Sequence, residues 1–183
     1  MATPTDTEPK ESEALSLRVV GSMQSFTREE WRTLQGSSRD ESDIPYNPFV
    51  SHEFLSALEE SGCAVARTGW QPHHLRLESG DGRLLGAAFC YAKSHSQGEY
   101  VFDHGWADAF ERAGGRYYPK LQVSVPFTPA TGPRLLSARG ADPASVRSAL
   151  AAGLKTITGR TGVSSAHVTF AGDADIAVLE NAG

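Results

Sequence analysis

Cysteine is scarce in this chain, two residues in 183. That excludes a disulfide framework, and Cys63 and Cys90 lack the paired spacing of a structural zinc site. Both read as small buried hydrophobes. Positive charge is short as well: 17 Lys and Arg against 22 Asp and Glu leave a formal charge of -5. General attraction to nucleic-acid phosphates or anionic lipid is thereby disfavoured, while a local basic pocket stays open. No segment approaches the roughly 20 apolar residues of a membrane span; the longest apolar run is short, over residues 84–92. The start of the chain lacks the basic residues and apolar stretch of a secretory signal, which predicts a cytoplasmic protein. No glycine-rich stretch leads into Lys-Ser or Lys-Thr, so a P-loop is absent. Neither an internal repeat nor a low-complexity block is present.

What the chain does have is ordinary globular composition, 39% hydrophobic and 9% aromatic, enough for one sizeable core. Residues 1–15 read as a disordered tail with too little apolar surface to offset ordering. A short strand follows at residues 17–20. Thr27 caps a helix through Trp31 and Leu34, and Glu30 completes a capping box. Residues 36–43 read as a surface loop. Ser51 caps a second helix carrying Phe54, Leu55 and Leu58, ended by Gly62. Residues 74–78 and 84–93 form a β-hairpin across Gly80-Asp81-Gly82, its second strand deep in a sheet. Further expectations are a strand edge at 99–103, a short helix at 106–113, and a strand at 121–127 bent or bulged by Pro126 and Pro129. Asp142-Pro143 opens a helix running to about Gly159. A strand at 166–171 and a helix over 173–181 complete the pattern. The order of elements predicts an α/β (α+β) fold: a mixed, largely antiparallel sheet with helices on both faces.

Polar and aromatic residues concentrate between Tyr91 and Pro133: Lys93, His95, Tyr100, Asp103, His104, Trp106, Tyr117, Tyr118, Lys120 and Thr128. Hydroxyl-bearing aromatics interleaved with Lys and His suit a cleft that stacks on a ring and holds an anionic group; a polar rim on a sheet edge is the plainer alternative. His73, His74, His95, His104 and Asp103 are of metal-ligating type, but none shows the spacing of a zinc motif, and no metal is expected. Cys90 sits inside an apolar run, the wrong place for a thiolate nucleophile. Asp103 and His104 are an acid-base candidate, with a role for one of them favoured because neighbours on an extended chain point apart.

Several stretches then resemble a known family. Residues 47–55 (NPFVSHEFL), 69–75 (GWQPHHL), 93–103 (KSHSQGEYVFD), Trp106-Ala107, 117–121 (YYPKL), 125–129 (VPFTP) and 132–136 (GPRLL) are similar to the bacterial FemAB-like proteins, GNAT-related N-acyltransferases of peptidoglycan biosynthesis or recognition. The resemblance covers about residues 17–172. It implies a GNAT-like acyltransferase domain over residues 16–183, the first of two tandem units, so that the second domain is expected to be missing. It implies transfer of an aminoacyl or acyl group to an amine, with a small-molecule or peptide-like acceptor. No tightly bound cofactor is implied; acyl-CoA or aminoacyl-tRNA would be the donor substrate. Substrate contacts are carried over to Lys93, His95, Tyr100, Trp106, Tyr118, Lys120 and Thr128, the base to Asp103 or His104, and a carbonyl-polarising donor to Lys93 or Tyr118. The family pattern favours Pro where this chain has Phe89, which predicts a changed strand bend. A non-catalytic module recognising a cell-wall precursor or peptide is the alternative, and a truncated product without activity is a third.

Overall fold

The computed structural model describes residues 14–35 and 46–182. The expected tail and the 36–43 loop fall almost wholly outside them. Among the described residues, eight strands build two four-stranded sheets. The first has the order β1 (Ser16–Val20), β3 (His74–Glu78), β4 (Leu84–Ala88), β7 (Leu136–Ser137), and the second β2 (Trp70–Pro72), β5 (Cys90–Lys93), β6 (Lys120–Val123), β8 (Ala166–Val168). All pairings are antiparallel except β6 with β8. The fold class is therefore the expected one, α+β with mixed, largely antiparallel strands, consistent with a GNAT-like domain.

The expected long strand over 84–93 is divided. It leaves the first sheet after Ala88 and enters the second at Cys90, with buried Phe89 at the crossing. A bulge opposite Leu77 and Glu78 puts Leu84 and Leu85 out of step, but from Gly86 onward side-chain alternation runs through the crossing. Ala87, Phe89 and Tyr91 join one apolar cluster, while Ala88, Cys90 and Ala92 join the other.

Two helical layers cover the first sheet. Helices α1 (Arg28–Leu34) and α2 (His52–Glu60) bring Trp31, Leu34 and Leu55 onto the Ala87 and Phe89 side. Thr27 and Glu30 form the predicted capping box, and Ser51 Oγ accepts from Phe54 N at 3.1 Å. On the opposite side lies α4 (Pro143–Thr161), capped by Asp142 and stopped by Gly162 in the left-handed region rather than at Gly159. Its Val146, Leu150 and Leu154 face Leu75, Leu77 and Ala88, with α5 (Asp173–Ala182) beside it.

Two expectations are corrected. Residues 99–103 form no strand, because Glu99 and Asp103 turn inward to bond lysines instead of pairing along a ladder. Cys63 is exposed: α2 ends at Glu60 and the following turn carries the thiol at the surface, whereas Cys90 is buried in its strand.

Candidate functional site

The alternation that feeds α4 with apolar side chains from the second sheet leaves the other face of that sheet strongly polar. Leu121, Val123 and Val168 belong to the helix-side cluster, so Lys120, Gln122 and His167 point the opposite way, alongside Tyr91 and Lys93. Among the described residues no helix layer comparable to α4 roofs this row. A strap from the end of β5 to helix α3 (His104–Arg112) lies over it, and its Glu99 and Asp103 are buried.

Lys93 and Lys120 are direct cross-strand partners, both with fully buried side chains. Like charges so placed repel, and the strap supplies the compensation. Lys120 Nζ donates to Glu99 Oε2 at 2.8 Å and to Asp103 Oδ2, and lies 3.4 Å from His167 Nδ1. Lys93 Nζ donates to the Gln97 carbonyl at 3.0 Å and stands 3.9 Å from Glu99 Oε1. It also sits 3.6 Å from the Trp70 ring centroid, a cation-π geometry whenever the amine is protonated. Trp70 Nε1 donates to the same Gln97 carbonyl at 3.2 Å.

Burial pushes the Lys93 amine down to about 7; Glu99 draws it back and Lys120 adds to the fall. Burial likewise raises the Glu99 carboxyl against the pull of Lys120. For Asp103 burial works upward, but the Lys120 hydrogen bond and charge win and hold its carboxyl below the usual range. The His167 imidazole is lowered by burial and then by Lys120. The cluster thus holds an ionised Asp103 bound to Lys120 and, in Lys93, an amine that exchanges its proton near neutral pH. Tyr91 Oη, Gln122 Oε1 and Glu99 Oε1 are buried without a hydrogen-bond partner, and such atoms are uncommon outside functional or water-binding interiors.

The residues expected at the site divide into three groups. Lys93, Asp103 and Lys120 come together, with Tyr118 beside them, its ring centroid 5.9 Å from Lys120 Nζ and its hydroxyl raised by burial. His104 is exposed, 3.2 Å from the Ser96 hydroxyl and stacked on Phe102, while His95 and Thr128 sit half-buried nearer the rim. Tyr100 and Trp106 project into solvent, 54% and 75% exposed. Glu99 and His167 were absent from the expected set. His167 had a readable signal, a polar residue alternating with Ala166 and Val168; Glu99 had none, since it arrives from a loop.

The domain is thus α+β, with one sheet face covered by helix and another carrying a buried, charged row of lysines and carboxylates. Residues 22–183 match the FemAB-like family, described as peptidoglycan biosynthesis/recognition. The chain belongs to that family. No curated protein and no solved structure matches it. Among the described residues no helix is long and apolar enough to cross a membrane.

Proposed function

We propose that this domain supports N-acyl transfer to the amine of a peptidoglycan precursor, with Lys93 as the proton-exchanging group. The observation that carries the reading is the buried Lys93–Lys120–Glu99–Asp103 cluster on the polar sheet face. In such a reaction the acceptor amine attacks the acyl carbonyl carbon of a thioester or ester. The new C–N bond forms, the C–S or C–O bond breaks, and the amine proton passes to a base. A lysine that titrates near neutrality is suited to take that proton. Asp103, tied to Lys120, positions the cluster, and the Tyr118 hydroxyl is the donor for the carbonyl oxygen. His95 and Thr128 at the rim, and His104, Tyr100 and Trp106 outside it, are placed to meet the acceptor. The donor is acyl-CoA or aminoacyl-tRNA. Substrate reaches Lys93 by lifting the strap.

Complete burial of both lysines favours a second reading, a non-catalytic module that recognises a cell-wall precursor. A radiolabelled-donor assay with a soluble muropeptide acceptor separates the two. Transfer whose rate rises with pH along a limb near 7, and falls at least 100-fold in Lys93→Met, supports transfer. Saturable muropeptide binding without turnover supports recognition. Transfer at the wild-type rate and pH profile in Lys93→Met removes Lys93 from the chemistry.

A further inference from the structure

Ser165 directly precedes β8 and His167 lies within it; two residues apart in extended chain, they share the polar face of the second sheet. Their side chains meet, with Ser165 Oγ 3.0 Å from His167 Nε2. The other ring nitrogen, Nδ1, stands 3.6 Å from Asp103 Oδ2. The Tyr117 ring backs the imidazole edge-on, at 90° with centroids 6.1 Å apart. Hydroxyl, imidazole and carboxylate in that order are the parts of an activated nucleophile. Unlike Lys93, the pair is reachable without lifting the strap: Ser165 is half-buried and the His167 side chain is 29% exposed.

Which ring nitrogen holds the proton decides whether the serine is activated. Lys120 Nζ lies 3.4 Å from Nδ1, but its closer contacts are with Glu99 and Asp103. The ionised Asp103 facing Nδ1 keeps the proton there and leaves the Nε2 lone pair for the serine hydroxyl. Burial and then Lys120 lower the imidazole, with Asp103 opposing, so the ring is neutral at pH 7 and able to accept a proton. An oxyanion donor follows from the ladder. Leu121 N donates to the Ser165 carbonyl and Thr169 N to the Val123 carbonyl, so residues 165, 167 and 169 bond β6 and the Ala166 N–H points away from it. Among the described residues β8 is the last strand of its sheet, and the N–H directly after a nucleophilic serine is a recurrent oxyanion donor.

We propose that Ser165 is a catalytic nucleophile with His167 as its general base and Asp103 as the residue that orients the imidazole, forming an acyl-serine intermediate from a carboxylic ester. The hydroxyl proton passes to His167 Nε2 as Ser165 Oγ bonds the carbonyl carbon. The ester C–O bond breaks, and the leaving alkoxide takes the proton from Nε2 and departs as the alcohol. Water, deprotonated by the same nitrogen, then attacks the acyl-serine, releasing the carboxylic acid and restoring the hydroxyl. This hydrolysis uses neither an amine acceptor nor Lys93, so it stands or falls separately from the transfer proposed above.

The test is phosphorylation of the whole chain by diisopropyl fluorophosphate, with the adduct mapped by mass spectrometry. A single adduct on Ser165 is expected, formed at a rate that rises with pH along a limb below the ordinary imidazole value of 6.5. The rate should fall on the order of 100-fold in His167→Gln and about tenfold or more in Asp103→Asn, while Ser164→Ala reacts as the wild type does. Nitrogen NMR of His167 should find the proton on Nδ1 in the wild type and shifted toward Nε2 in Asp103→Asn, a change that a purely structural carboxylate would not produce. With p-nitrophenyl acetate the wild type should release a burst of about one equivalent of nitrophenol, and Ser165→Ala none. Failure of folded wild type to label at Ser165, an undiminished rate in folded His167→Gln, or a wild-type proton resident on Nε2 overturns the proposal.

Discussion

Replacing Lys120 with methionine isolates charge from volume, because methionine keeps most of the alkyl stem and removes the ammonium. In the wild-type protein that ammonium is the hydrogen-bonding cation of both Glu99 and Asp103, whose side chains are 4% and 8% exposed. What remains is Lys93 at 3.9 Å from Glu99 and His167 Nδ1 at 3.6 Å from Asp103 Oδ2, neither a hydrogen bond to the carboxylate. Removing one member of a buried ion pair costs about 3–5 kcal/mol, since the partner charge stays buried and unpaired. For a domain of this size that corresponds to a fall in Tm of roughly 6–20 °C. The pH dependence is the sharper signature. In the wild type the Asp103 carboxyl lies below its unfolded value, so its contribution is present above the unfolded pKa and is lost as pH falls through the lower, folded one. In Lys120→Met the Asp103 carboxyl rises above its unfolded value, and that of Glu99, already raised by burial in the wild type, rises further. The variant therefore loses stability as pH climbs through the ordinary carboxylate range and recovers part of it on acidification. Urea unfolding at pH 5 and pH 7.5, followed by tryptophan fluorescence, measures both curves. A deficit under about 1 kcal/mol at pH 7.5, or one of equal size at both pH values, would refute the reasoning and reduce Lys120 to a packing residue.

Three further outcomes are expected. Gly86→Ala drives a Cβ into Val146 of α4 and the Leu136 carbonyl, and should destabilise by about 1–3 kcal/mol in denaturant titration, as overpacking does; no change in midpoint would show that α4 can shift. Asp175 Oδ2 accepts from the backbone N–H of Arg134 at 2.6 Å and of Leu135 at 3.4 Å, so Asp175→Ala should cost about 1–3 kcal/mol by orphaning buried donors, measured the same way. In thiol titration the folded protein should react at one cysteine, exposed Cys63, and the unfolded protein at two, because burial holds the Cys90 thiol up at about 12; rapid reaction of both in the native state would contradict the strand placement of Cys90.

Local signals carried much of the architecture. Thr27, Ser51 and Asp142 marked three helix starts because a cap is written within four residues, and the alternations around Leu75, Leu121 and Val168 marked strands whose apolar side meets α4. Division into two sheets was not legible. It depends on which strands pair across long separations, and nothing between Ala88 and Cys90 breaks the alternation. In the candidate site Lys93 was visible at the end of a strand-like segment and Lys120 just before the strand expected at 121–127, which in fact spans Lys120–Val123, but their mutual pairing is a matter of register. The inward turn of Glu99 was hidden for a different reason: it answers two buried ammonium groups rather than a local preference. Exposure at Tyr100 and Trp106 follows from the strap and α3 lying outside both apolar clusters, which composition cannot reveal.

Because one ribbon serves both sheets and keeps its two-residue rhythm from Gly86 to Lys93, misalignment there cannot be confined to either. A slip of a single residue along 86–93 would turn Lys93 toward the greasy underside of α4 and expose Ala92 to the carboxylates. The tight seating of Gly86 against Val146 and Leu150 thus acts as a remote index mark: a hydrocarbon contact seven residues upstream decides which way an amine faces.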